Sequence, residues 1–313
     1  MTPESNSPAT GEAAVSREDQ LAKMRQDWDQ RAIENARHYV ATERTDWTDE
    51  EFFAAGEREV QEQILSDMTN ICRGKRPKRM KVLEIGCGAG RVTRSLAALF
   101  GEVHAVDVSG EMARLARQAV AGCPNATVYQ NNGADLDMFS GRSFDFAYSC
   151  LVFQHIPSRE IIESYVREVY RVLRPGGLFK FQVQGDTGIG EPPPEDTWLG
   201  VPWSEEQIVA LAARCGFESR YRYAAGEQYF WNWFFKPTLL RLVRRRLGRM
   251  RRRLHGLLRN PTPQSVVPAK NRQFSRSEEE DQAGRVGRRA TEEIRAHRPL
   301  VEPDVRISRI RLS

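Results

Sequence analysis

The chain has 313 residues, 40% of them apolar, and a net charge of +5 that conceals two opposed regions: residues 236–313 hold 21 Lys and Arg against 8 Asp and Glu, and the rest hold 26 against 34. That apolar share suits a domain with one sizeable core, and no run approaches eighteen consecutive apolar residues, so no membrane-spanning helix is expected. Five cysteines without C-x-x-C spacing and five scattered histidines give no zinc pattern; with no signal-peptide pattern, the thiols read as reduced and the protein as cytoplasmic.

Residues 1–16, rich in Ser, Pro, Thr and Glu, are expected to be disordered. Residues 17–74 read as a helical cap: Trp28, Ala32, Ala36 and Tyr39 share one helical face, and Thr48 with Glu51 makes a capping box for a second helix. From Lys81 strands and helices alternate, which predicts a parallel sheet. Strands are expected at 81–86, 102–107, 127–131, 144–150 and 178–183, with helices after the first glycine turn, from Ser109 to Ala121, and from Ser158 to Leu173. Pro175-Gly176-Gly177 is expected to stop that last helix. A long Gly/Pro-rich loop, 185–203, precedes a helix at 204–215 and two strands near 218–224 and 228–236. Residues 238–259 read as an amphipathic helix whose apolar stripe begins at Leu240 and whose other face carries nine arginines; 260–313 reads as a largely disordered basic tail.

Chemistry concentrates at Val82-Leu83-Glu84-Ile85-Gly86-Cys87-Gly88-Ala89-Gly90. A strand running into a glycine turn and a helix N-terminus brings a nucleotide-like ligand close to bare backbone at Gly86 and Gly88. Asp107, twenty-one residues after Gly86, ends the second strand, where a carboxylate can accept both ribose hydroxyls of an adenosine. The third glycine follows the second by two residues rather than three, and Glu84 stands just before the turn. A carboxylate there repels a pyrophosphate and suits a cation, which favours S-adenosylmethionine over a dinucleotide. A tight turn with no ligand is the bland alternative.

VLEIGCGAGR (82–91), AVDVSGEM (105–112), NGADL (132–136), SFDFAYSCLVFQHI (143–156) and RVLRPGGLFKFQV (171–183) resemble, in order and spacing, the class I S-adenosylmethionine-dependent methyltransferases, over about residues 75–237. The likeness is strongest to their bacterial small-molecule branch. It implies an α/β, Rossmann-like, doubly wound seven-stranded sheet with one antiparallel strand, and S-adenosyl-L-methionine as cofactor. It further implies that Met112 packs beside the adenine, that Ala134, Asp135 and Leu136 border it with Asp135 accepting from its amine, and that Cys150 lies near the sulfur. His155, following the fourth strand, is the candidate general base for a hydroxyl acceptor; alternatively it packs in the turn before Pro157.

The expected partner is a small or lipid-linked acceptor methylated at oxygen. The basic helix fits an anionic membrane surface, with docking on the acidic body or a second copy as the alternative. Nucleic acid is the weaker reading, because no aromatics interleave the arginines to stack bases. The rival from another class is a non-catalytic cofactor-binding or scaffold protein acting through the tail. Oligomeric state is not legible.

Overall fold

A computed structural model describes residues 15–188, 190–193, 195–238, 240 and 243. Apart from Thr238, Leu240 and Val243, the expected basic helix of 238–259 lies outside the described residues, as do the tail of 260–313 and residues 1–14. Ser16, expected in the disordered stretch, instead caps the first helix: its Oγ accepts the Asp19 N–H at 3.1 Å, satisfying an amide that a helix start leaves open.

The strands are β1 (Lys81–Ile85), β2 (Glu102–Asp107), β3 (Ala126–Gln130), β4 (Phe144–Ser149), β5 (Leu173–Gln184), β6 (Glu218–Tyr223) and β7 (Tyr229–Phe235). They form one sheet in the order β3-β2-β1-β4-β5-β7-β6, with β7 antiparallel to both its neighbours and the remaining pairs parallel. The helices are α1 (Arg17–Val40), α2 (Asp49–Gln63), α3 (Met68–Cys72), α4 (Arg91–Leu99), α5 (Gly110–Ala119), α6 (Arg159–Val172) and α7 (Glu205–Cys215).

Strand periodicity sorts the core into two layers. Leu83, Ile85, Ala147, Phe179, Phe181 and Val183 face α6 and α7, while Val82, Phe146, Tyr148 and Leu178 face α4 and the end of α2. The strand order reverses between β1 and β4, and the crevice at such a switch point, beyond the C-terminal strand ends, is where open α/β sheets take ligands.

One sequence expectation fails in its detail. Helix α6 ends at Val172 and β5 begins at once at Leu173, so Pro175-Gly176-Gly177 lies inside the strand rather than ahead of it. The register against β4 shifts there, between Phe144 and Phe146. Gly176 takes a left-handed φ of 87°, and its N–H bonds Lys236 O at 3.0 Å; the Lys236 N–H returns to Gly177 O at 2.9 Å. A bulge thus absorbs a proline that a regular ladder excludes.

The cap docks on α4 and on the 185–203 loop, among other contacts. Gly56 of α2 lies so close to α4 that a Cβ would overlap Arg91 O. The helix carries the capping box read from Thr48 and Glu51. Helix α1 breaks at Asn35 (φ −166°, ψ 81°), whose Nδ2 donates to Thr45 O at 2.8 Å. Across the cleft, Arg31 Nη1 donates to Thr197 O at 3.1 Å and Thr197 Oγ1 donates to Asp27 Oδ2 at 2.6 Å. The 185–203 loop is pinned at its ends, where Trp203 N–H donates to Gln184 O at 2.9 Å. Among the described residues no helix is long and apolar enough to cross a membrane.

Candidate active site

Residues Gly86 to Gly90 join β1 to α4 in a turn that only small residues permit. Gly86 has φ 72° and Gly88 φ 53°; a Cβ on the first would overlap the Val152 side chain, and on the second that of Val40. Asp107, at the end of β2, ties the turn down: its Oδ2 accepts the Gly88 N–H at 2.8 Å and its Oδ1 the Ser109 N–H at 2.9 Å. Burial raises the Asp107 carboxyl to about pH 6, against the pull of those two amides and with a push from Asp29 of α1.

Above the turn lies a cleft of about 800 Å³, open mouth included. Glu84, Gly86, Gly88, Asp107, Met112, Cys150 and His155 all line it, so the structure brings these sequence-read residues together. Ala134, Asp135 and Leu136 are not among its lining residues. The Asp135 carboxylate is engaged in its own turn, accepting from Asn132 Nδ2 at 2.6 Å and from the Asp137 N–H at 3.2 Å, and Leu21 of α1 packs over neighbouring Gly133.

Glu84 is 4% exposed, and its Oε2 has no hydrogen-bond partner. Burial pushes its carboxyl up to about 8, reinforced by the charges of Glu59 and Asp107 and opposed by Thr93 and Arg91. Leaving such an oxygen unsatisfied costs about 1–3 kcal/mol, which a cationic ligand would recover.

His155 lines the cleft, where its ring is buried and engaged at both nitrogens. Its Nδ1 faces Trp198 O and its Nε2 faces Gln154 Nε2 at 3.2 Å, between the rings of Trp28 and Trp198. With Nδ1–H donating to the carbonyl, the Nε2 lone pair accepts from Gln154. Burial lowers the ring to about 4, opposed by the Trp198 carbonyl and aided by the positive Arg31. A buried ring so held is a poorer proton acceptor than an exposed imidazole.

Sequence reasoning passed over Met24 of α1 and Glu59 of α2, which also line the cleft. Glu59 sits in a charged run that reads as a solvated face. Its side chain is only 13% exposed because Gly56 draws α2 onto α4: Arg91 Nη2 pairs with Glu59 Oε2, and Tyr148 Oη donates to Glu59 Oε1 at 2.9 Å. On the far side of Glu59 a second chamber, about 950 Å³ with its mouth, opens between α2 and β7.

The family described as methyltransferase domain matches residues 82–177, the segment that builds this turn, Asp107 and β4. The chain carries a class I S-adenosylmethionine-dependent methyltransferase domain. Over 123 residues it is 28% identical to a putative methyltransferase, YqeM, of Bacillus subtilis, covering 39% of this chain and 49% of that protein. Over 140 residues it is 31% identical to the malonyl-[acyl-carrier protein] O-methyltransferase of Methylococcus capsulatus, covering 44% and 48%. The chain thus spans about half the length of these relatives. The Burkholderia thailandensis 1,6-didemethyltoxoflavin-N1-methyltransferase has a similar fold, with a TM-score of 0.52, 19% identity, and 72% of this chain and 92% of that one covered.

Proposed function

We propose that the protein transfers a methyl group from S-adenosylmethionine to a hydroxyl oxygen of a small molecule. The observation that carries the reading is the buried, unpartnered Glu84 oxygen beside the glycine turn at the switch point. Its residues fit the cofactor. Glu84 meets the ammonium, Gly86 and Gly88 admit the methionine moiety against bare backbone, Asp107 accepts the ribose hydroxyls, and Met112 packs on the adenine. When bound, the cofactor supplies a methyl group on a positively charged sulfur. The protein's own part is alignment and exclusion of water, and alignment alone can lower such a barrier by about 7–11 kcal/mol.

Asp135 is left out of this assignment because it does not line the cleft, whereas Asp107 does. Calorimetry with S-adenosylhomocysteine and with NAD on the full chain tests the reading: the first should bind and the second should not. Tight NAD binding, or no binding of either, sinks it. A screen with methyl-labelled cofactor then seeks the acceptor.

His155 is assigned here as a positioning residue that joins the Trp198 segment to the cleft wall. Its ring should stay neutral from pH 8 down to about 4 when followed by nitrogen-15 NMR. A titration near the ordinary imidazole value of about 6.5 would return it to the role of base.

A further inference from the structure

The cleft and the α2 chamber share four lining residues, Glu59, Arg91, Cys150 and Leu151. A methyl group passing from a ligand in one to a ligand in the other crosses at these side chains. Leu151 offers no acceptor, and Arg91 is a permanent cation. Burial pushes the Cys150 thiol well above its ordinary value, so it stays neutral. Glu59 is left, with one oxygen on Arg91, the other under the Tyr148 hydroxyl, and the Cys150 thiol bonded to the same carboxylate. Each carboxylate oxygen has lone-pair capacity for a second donor.

The chamber's other walls say what shape it takes. Trp231 and Tyr229 of β7 supply rings on one side, and Ala55 of α2 with Leu151 supplies apolar surface. Gln182 is fixed among them by the Leu151 N–H, which donates to its Oε1 at 2.9 Å. One flat aromatic wall with a carboxylate at the inner end matches a planar ring bearing a hydroxyl.

We propose that Glu59 is the proton acceptor of the reaction, and that its acceptor class is a hydroxylated planar ring held between α2 and β7. The proposal rests on the methyl-transfer reading above. In the step, the ring oxygen forms a bond to the methyl carbon, the carbon–sulfur bond breaks with its electron pair passing to sulfur, and the hydroxyl proton passes to Glu59. The sulfonium charge is thereby cancelled, and the Glu59 negative charge with it. The groups facing Glu59 are Arg91 from α4, Tyr148 and Cys150 from β4 and its end, and Glu84 from β1; Glu43, Arg58 and Glu62 stand on the chamber lining.

The test uses 4-nitrocatechol, a planar hydroxylated ring whose ionised form absorbs at longer wavelength, added to the full chain saturated with S-adenosylhomocysteine. A carboxylate that accepts from the neutral hydroxyl and repels the ionised one should raise the bound probe's ionisation by about one pH unit or more over the free probe. Glu59→Gln should keep S-adenosylhomocysteine and abolish the displacement. Tyr229→Ala removes a side chain that is 44% exposed, so the fold is spared; it should weaken the probe several-fold and leave the displacement in place. No displacement in the wild-type complex, the same displacement in Glu59→Gln, or unchanged probe affinity in Tyr229→Ala each overturns the proposal. If Glu59→Gln fails to fold because Arg91 loses its partner, the wild-type displacement and Tyr229→Ala still decide. Failure to bind S-adenosylhomocysteine at all refutes the methyl-transfer reading and this proposal together, whereas binding with no displacement refutes this one alone.

Discussion

Affinity for S-adenosylhomocysteine should rise about tenfold per pH unit as the pH approaches 8, and cofactor binding at pH 7 should release close to one proton. The free protein holds Glu84 protonated through neutrality, because burial raises its carboxyl to about 8. A ligand ammonium placed against the unpartnered Oε2 favours the ionised form, so the proton must leave as the ligand arrives. The sign follows. Below pH 8 binding includes the cost of ionising Glu84, and that cost shrinks as pH rises and vanishes above it. From pH 6 to pH 8 the gain through Glu84 is about 50-fold. Asp107, raised to about 6, steepens the fall below that pH. At the alkaline end the ligand's own amine loses its proton and affinity turns down again. Calorimetry in buffers of different ionisation enthalpy counts the released proton. Glu84→Gln should bind about 30- to 1000-fold more weakly at pH 8, a loss of about 2–4 kcal/mol, and release no proton. A flat pH profile in the wild type would mean that Glu84 does not meet the ammonium.

The second large effect is expected at Asp107. Asp107→Ala removes the acceptor for the ribose hydroxyls and also frees the Gly88 and Ser109 amides that shape the turn. Loss of a charge-assisted contact of this kind costs about 2–4 kcal/mol of affinity, roughly 30- to 1000-fold. Asp107→Asn keeps one acceptor oxygen and should fall between. Wild-type affinity in both variants, measured by calorimetry at pH 8, would remove the ribose from this position.

What the sequence disclosed and what it hid divide along a physical line. The strands, the glycine turn and Asp107 were legible because each is a local pattern: a β-branched run, glycines at alternate positions, an acidic residue at a strand end. The cleft gathers Glu84, Met112 and Cys150 from three such patterns, and the sheet order explains why they converge. The bulge at Pro175-Gly176-Gly177 was misread because a proline with two glycines signals a stop, and only the pairing with Lys236 reveals a strand already under way. Glu59 was invisible for a different reason. Nothing in Gly56-Glu57-Arg58-Glu59 marks Glu59 as the charge that turns inward until α4 is packed against Gly56. The chemistry of His155 likewise depends on a carbonyl 43 residues away in the chain.

The clasp between α1 and Thr197 has a consequence for how the molecule is made. Asp27 and Arg31 find their partner 170 and 166 residues later. During synthesis the first helix therefore leaves the ribosome long before this clasp can close, with β1 to β5 made between the two and β6 and β7 still to come. Closing so long a loop costs entropy that these few polar contacts must offset, so this joint is among the last to form and the easiest to open. An incomplete chain that lacks Thr197 has every element of the glycine turn and holds α1 without this clasp, through contacts such as the Asp29 carboxylate, which accepts from Ser109 Oγ at 2.6 Å and from the Glu111 N–H at 3.1 Å. The clasped cleft is thus a late arrival in the making of the chain.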